Sequence, residues 1–423
     1  LGADQGLAYV ASRAHHADIG GAAPGSMPLT NHVEDEGLLI PPTLFAGGEV
    51  CCAEVLQQIR GASRQPDERV GDLVAQLGAN LRGAARLREV VAAGAREFAT
   101  TADALIDYAA AMVQSALGSL RQGSATGHAM LESDGLGSEA IPIQVRTSVE
   151  GTAASRILTL DFTGTAPAVA GPVNCPRAVA TAAVAYCLRC LVPAGTPTNA
   201  GMLRDVRIHI PPGCLLDAPF PHPTAAGNVE TSQKVVEAVF AALASLVPGG
   251  LPAPSQGTMN NILFGGTDPR TGQPFTYYET LAGGCGAGPS GPGASALHSH
   301  MTNSRNTPIE VLEGRFPVIV GEYALRVPSG GRPRTPAGFP GGHGVRRAYQ
   351  FLAQATVTVL ADWPALSVPR EGDVGSPPKP GAAYLLMHDD GLVPLPSKWS
   401  GTVEAGTLLL IATPGGWAWD PPL

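Results

Sequence analysis

The sequence predicts an α+β fold: mixed sheets with a helical hairpin insertion and a β-rich C-terminal portion. Three patterns carry that prediction. Apolar residues recur at helical spacing over 68–98 and 101–121, and they alternate with period two over 141–149 and 156–162. From about residue 345 onward the pattern is β alone.

Taken in order, residues 7–13 read as a short strand that delivers Arg13-Ala14-His15-His16-Ala17-Asp18-Ile19-Gly20-Gly21, with a Pro/Gly loop over 24–28 behind it. Leu73, Leu77, Leu81 and Leu87 form the apolar stripe of the first helix; Leu105, Ile106, Ala109, Met112, Val113 and Leu117 form that of the second. Thr100-Thr101-Ala102-Asp103 offers the second helix a cap, since a short polar side chain can accept from the unpaired N–H groups of a first turn. The two alternating stretches flank Glu150-Gly151-Thr152 and read as a β-hairpin. Pro176-Arg177 opens an apolar helix that runs to about Leu191, and 206–210 is a short strand. Residues 228–246 form a helix entered through Gly227, and 255–305 is loop-rich with short strands. Strands over 348–352, 356–361, 383–388 and 407–412 complete a β portion at 346–423, behind a main domain at 1–345.

The chain has 423 residues, 44% of them hydrophobic, which is ample for a core. Its net charge of −8, from 35 acidic and 27 basic residues, supplies no Lys/Arg stripe, so no nucleic-acid or anionic-membrane partner is expected. No apolar run reaches the ~18 residues of a membrane span. Seven cysteines without regular spacing suggest a reducing, cytoplasmic setting. The start, Leu1-Gly2-Ala3-Asp4-Gln5-Gly6, reads as a chain that begins inside a domain.

Several clusters could carry chemistry. His15-His16-x-Asp18 supplies imidazole and carboxylate, the usual ligands of Mn, Fe or Zn. Neighbouring residues of an extended chain point to opposite faces, so only one of the two histidines shares a face with Asp18. Loop histidines hydrogen-bonded to backbone are the plainer alternative. His298-Ser299-His300 is either a second ligand pair or a hydrogen-bonded polar loop leading to Thr307-Pro308, a helix start. Gly227–Gln233 sits where a loop enters a helix, whose free N–H groups attract anions; a plain cap by Asn228 or Thr231 is compatible with that. Glu279 has no local partner and is a weak acid–base candidate. Gly283-Gly284-Cys285-Gly286-Ala287-Gly288 lacks the Gly-Lys-Ser/Thr of a phosphate loop, so no nucleotide site is expected. Cys187-Leu188-Arg189-Cys190, without a second pair, reads as small buried hydrophobes in a helix.

Five stretches together resemble the hydantoinase B / ATP-dependent 5-oxoprolinase family: Arg13 to Gly21 with Pro24-Gly25-Ser26-Met27-Pro28, Asn174-Cys175-Pro176-Arg177-Ala178-Val179, Gly227 to Gln233, Ser255-Gln256-Gly257-Thr258-Met259-Asn260-Asn261, and His300-Met301-Thr302-Asn303-Ser304-Arg305. Their order and spacing match over about residues 7–345. Tyr186 to Leu191 and Tyr278 to Gly284 look most like the C-terminal half of 5-oxoprolinases. Two places depart from the family pattern: Ser329-Gly330-Gly331-Arg332-Pro333-Arg334-Thr335-Pro336 and Pro414-Gly415-Gly416-Trp417-Ala418-Trp419.

The resemblance implies a division of labour. An A-type part, fused or separate, binds ATP and phosphorylates a cyclic amide; the B-type part completes its hydrolysis, here of 5-oxoproline to glutamate. It implies Glu230 and His300 as catalytic residues and Asn228, Ser255, Gln256 and Arg305 as substrate-binding. It also implies that His15, His16 and Asp18 are half of a divalent-metal site (Mn, Fe or Zn), the other half being a His-x-x-Asp motif upstream of Leu1. ATP is then used by the A-type part and not bound here, and a homo- or hetero-oligomer is expected. The alternatives are an acetone-carboxylase-type α subunit and a catalytically silent scaffold that docks an A-type partner.

Overall fold

A computed structural model describes residues 8–47, 50–248, 250–363, 376–387 and 391–421. The fold is α+β. A two-residue pair, β1 (Ala46–Gly47) and β2 (Val50–Cys51), precedes three helices: α1 (Ala53–Ala62), α2 (Pro66–Ala93) and α3 (Ala95–Ser119). Then come β3 (Gly123–Ser133), β4 (Glu139–Glu150), β5 (Ile157–Asp161), α4 (Arg177–Leu191), β6 (Val206–His209) and α5 (Ser232–Leu243). The remainder is β7 (Asn261–Thr267), β8 (Pro274–Thr280), α6 (Ile309–Arg315), β9 (Val318–Leu325), β10 (Val345–Phe351) and β11 (Ala355–Leu360). β12 (Ala382–Met387), β13 (Gly391–Leu395), β14 (Lys398–Val403) and β15 (Leu408–Ala412) end the chain.

The first layer is a sheet in the order β3-β4-β5-β6, antiparallel except for the parallel pair β5–β6. β4 buries every second residue, Ile141, Ile143, Val145, Thr147 and Val149, so one face of the sheet is apolar and must be covered. α5 covers it, with α4 behind. The close approach is made at Gly127 of β3, where a Cβ would lie 2.0 Å from the Ala238 carbonyl oxygen and 2.5 Å from the Ala242 nitrogen. Gly127→Val therefore forces the helix off the sheet. It is expected to destabilise the protein by ~3 kcal/mol or more in urea unfolding.

The second unit is a pair of sheets, β14-β11-β7-β8 and β13-β12-β15-β10-β9, stacked over one core. Phe264 of β7 lies at its centre, with ring centroids 5.9 Å from Tyr349 and 5.4 Å from Phe351 on the facing sheet. Offset and edge-on aromatic contacts of this kind add to plain area burial.

Three expectations need correction. Residues 8–16 are irregular and no strand forms there, because Tyr9 and Val10 have no sheet edge to join and stay exposed. The helical pair breaks at Gly94 and not at Thr100–Asp103, where the chain is already helical. An additional helix, α1, lies against α2, whereas α3 lies against the 3-10 turn Ala200–Leu203 and α4. Around residue 345, β10 pairs with β9, and β11 with β7. Strands β1, β2, β3, β9, β13 and β14 were not expected at all.

Candidate active site

One segment organises the loops that the sequence singles out. It begins as a π-helical turn, Gly227–Thr231, and continues as α5. Gly227 is required by contact: a Cβ there would sit 2.2 Å from the Asn174 carbonyl oxygen. The Thr231 hydroxyl donates to the Val173 carbonyl, which ties the segment to the Asn174–Val179 stretch. Asn174 is itself fully buried, its amide accepting from Val169 N and donating to the carbonyls of Val169 and Gly171.

From this segment successive side chains reach different loops. Asn228 Nδ2 lies 3.2 Å from His15 Nε2. Glu230 Oε1 accepts from Met259 N (3.1 Å) and Asn261 Nδ2 (2.8 Å). Gln233 Nε2 donates to the His300 carbonyl and to the Thr302 hydroxyl. His300 is wedged edge-on between Tyr186 and Phe240, with Nδ1 3.0 Å from the Tyr186 hydroxyl. Burial, with Cys190 beside it, holds the Tyr186 hydroxyl well above its ordinary pKa, so it stays protonated and orients the imidazole.

The expected anion cradle at the start of this helix is not open. The N–H groups of Gly227, Val229 and Glu230 are hydrogen-bonded to the carbonyls of Thr224 and Ala226, because the tight entry turn uses them.

His15, His16 and Asp18 diverge. His15 is exposed and faces Asn228. His16 turns to α2, its Nε2 3.1 Å from Gln76 and its Nδ1 3.7 Å from Asp72, and burial lowers its pKa against the pull of Asp72. Asp18 is fully buried: it accepts from Arg64 N at 2.6 Å, Arg64 Nη1 at 2.9 Å, Ser63 Oγ at 3.3 Å and Ser26 Oγ at 3.4 Å. Its oxygens are thus engaged by a guanidinium and by hydroxyls. Among the described residues no three His, Cys, Asp or Glu side chains gather where they could hold one metal ion. The three do not by themselves fit a metal centre.

Ser255 and Gln256 line a narrow cleft with Trp363, Pro414 and Trp417, with about 20 Å³ of water-accessible space, room for about one water. Ser255 Oγ accepts from Gly286 N, and Gln256 Oε1 accepts from Asn260 Nδ2. Arg305 is exposed beyond the His300 turn. Glu230 is fully buried, and burial pushes its carboxyl up to about 8. A buried acid held neutral at pH 7 is poorly suited to act as a general base in the catalysis that the resemblance implies for it.

Two groups escaped the sequence reading. Glu36 accepts from Ala225 N at 2.7 Å and so pins the turn Val33–Glu36 just ahead of Gly227; burial raises its carboxyl to about 7, against the Ala225 and Thr224 N–H groups. In the sequence it is one of three acidic residues in a row, which reads as a solvated face. Glu279, which has no local partner in the sequence, has partners from far along the chain: Arg347 Nη2 at 3.4 Å, Asn306 Nδ2 at 2.7 Å and the Tyr349 hydroxyl. Local sequence carries no sign of such pairings.

Among the described residues, no helix is long and apolar enough to cross a membrane. The chain is 35% identical to 5-oxoprolinase 1 of Arabidopsis thaliana over 431 residues, covering 96% of this chain and 32% of that protein. It is 33% identical to 5-oxoprolinase of Dictyostelium discoideum, covering 96% of this chain and 31% of that one. It thus spans about a third of the length of these relatives. The fold matches the crystal structure of ATP-dependent caprolactamase from Pseudomonas jessenii, with a TM-score of 0.81 at 23% identity, covering 94% of this chain and 69% of that one. The Hydantoinase B/oxoprolinase family description matches residues 2–422, and the chain belongs to that family.

Proposed function

We propose that this chain is the B-type part of an ATP-dependent cyclic-amide hydrolase, and that its substrate is 5-oxoproline after activation by an A-type part. The observation that supports this best is the meeting of His15 with Asn228 across 213 residues of sequence, on the same helical entry that ties down the His300 loop. The two motifs carry the family resemblance and they share one scaffold. The identity to two 5-oxoprolinases favours 5-oxoproline among cyclic amides.

In this reading the A-type part has already placed phosphate on the lactam oxygen, which makes the ring carbon electrophilic. Water adds to that carbon, the ring C–N bond breaks to leave an acyl phosphate, the departing nitrogen takes a proton, and a second water cleaves the acyl phosphate to release glutamate and inorganic phosphate. His15, its Nε2–H donating to the Asn228 side-chain oxygen once that amide is turned over, takes the proton from water at Nδ1; His300, oriented by Tyr186, supplies one to nitrogen. Each transfer by a positioned side chain contributes ~10²–10⁴-fold. No step is drawn through a metal. Arg305 meets the substrate carboxylate, and the Ser255–Gln256 loop bounds the site.

Supplied with an A-type part and ATP, the chain is expected to turn over 5-oxoproline faster than hydantoin or caprolactam, and to form no acetoacetate from acetone and bicarbonate. Product analysis by mass spectrometry checks this; acetoacetate as the main product would favour the carboxylase alternative.

A further inference from the structure

Five ionisable side chains share the dry interior beneath the 255–261 loop. Glu230, Lys234 and Glu237 come from the π-turn and α5, Asp362 follows β11, and Lys398 opens β14. Lys234 Nζ lies 3.1 Å from Asp362 Oδ2 and 3.6 Å from Glu237 Oε2. Lys398 Nζ lies 3.1 Å from Asp362 Oδ1 and donates to the Ala361 carbonyl at 2.9 Å. Two cations therefore face two anions, and the set is neutral before Glu230 is counted.

Glu230 stands apart from these pairs. Its Oε1 takes the two hydrogen bonds from Met259 and Asn261, while its Oε2 is buried and has no hydrogen-bond partner among the described residues. Tyr278 faces the same point, donating its hydroxyl hydrogen to Asn261 Oδ1 at 2.9 Å. An ionised Glu230 would leave a net negative charge and an unpaired anionic oxygen in a medium that solvates neither. The neutral acid avoids both.

The loop above needs such a clamp. Gly257 adopts φ +69, and a Cβ there would lie 2.4 Å from Glu237 Oε1 and 2.9 Å from Lys234 Nζ. Asn260 adopts the left-handed φ of 48, a conformation that asparagine takes more readily than other non-glycine residues. Its side chain donates to Gln256 Oε1 (2.8 Å) and accepts from Trp363 Nε1 (2.7 Å).

We propose that Glu230 is a positioning residue: as a neutral carboxylic acid it clamps the 258–261 turn and thereby sets where Ser255 and Gln256 stand. Its consequence for turnover rests on the proposed role of those two side chains; the clamp itself does not. Titration agrees with the geometry. Burial pushes the Glu230 carboxyl up to about 8, with Lys398 and Thr258 opposing and Asp362 adding to the rise. Of the groups facing it, Asp362 is held below its ordinary value, and Lys234 and Tyr278 above theirs, so these three keep one charge state through the neutral range.

The sign of the effect follows from linkage. When the turn opens, Glu230 meets water and ionises near its ordinary value of 4.5, whereas in the closed turn it holds its proton to about 8. Between those values each pH unit favours opening by ~10-fold, and above the upper one there is no further change. The experiment is hydrogen exchange at 255–261 in the purified 423-residue chain from pH 5.5 to 9.5, corrected for intrinsic rates. The opening constant of the wild type is expected to rise ~150-fold from pH 5.5 to 8 and to level off at ~300-fold by pH 9.5. In Glu230→Gln, which keeps the acceptor and the size, it should stay flat. The same slope in both proteins overturns the proposal. If the variant does not fold, the wild type decides alone: a flat profile through pH 8 overturns it, and a rise with a plateau supports it. Neither arm uses substrate or an A-type part, so failure here is distinct from failure of the proposed function.

Discussion

Asp362→Ala is expected to destabilise the protein by ~3–5 kcal/mol, the range for removing one partner of a buried ion pair, and to leave little folded chain. Asp362 is fully buried at the end of β11 and joins three parts of the molecule. Its carboxylate accepts from Glu132 N of β3 at 2.8 Å and contacts Lys398 of β14 and Lys234 of α5, while its own N–H donates to Thr258. Burial would raise its pKa, but Lys398 and Lys234 outweigh that and hold it below the usual carboxylate range. Without it, two ammonium groups stand in the interior with only Glu237 and Glu230 near. The seam between the first sheet and the stacked pair is built on this carboxylate, so both units should loosen together. Urea unfolding followed by tryptophan emission reads the loss; a change below ~1 kcal/mol would show that the charges are solvated or re-paired.

His15→Ala is expected to lower glutamate formation by the complete enzyme by ~10²–10⁴-fold, with unfolding midpoint unchanged. The separation of effects follows from position. His15 is exposed and touches the scaffold through Asn228, so little packing is lost with it. Asn228→Ala should lose less, because the imidazole remains and only its orientation is freed. His16→Ala should behave in the opposite way, affecting the docking on α2 through Gln76 and Asp72 more than turnover. Rates within ~3-fold of wild type for His15→Ala, measured as glutamate released, would remove this residue from the chemistry and favour the docking scaffold.

How much of this was legible in the sequence depended on distance along the chain. The β4–β5 hairpin was readable because a sheet with one buried face writes strict alternation, and β4 keeps it from Ala140 to Glu150. Helix α4 was readable from Pro176 to Leu191, since proline fixes its first turn. The break at Gly94 was not, because Ala95 to Thr101 carries no stop signal and Thr100–Asp103 offered attractive but unused cap chemistry. For the site, the motifs were visible but their geometry was not. Asp18 looked like a ligand until Arg64 was seen against it, and Glu230 looked like a base until its burial was known. Pairings such as Glu279–Arg347 or Lys234–Asp362 join positions that no local pattern relates. Interior charge networks are assembled by the fold, and sequence alone shows only their separate members.

The central claim is that this chain carries the hydrolytic half of a cyclic-amide hydrolase. Its most direct measurement is glutamate formed from 5-oxoproline and ATP by an A-type part, with and without this chain. The account predicts glutamate and ADP in equal amounts when both are present, and no glutamate when either is omitted. An A-type part that forms as much glutamate alone as with this chain would contradict it.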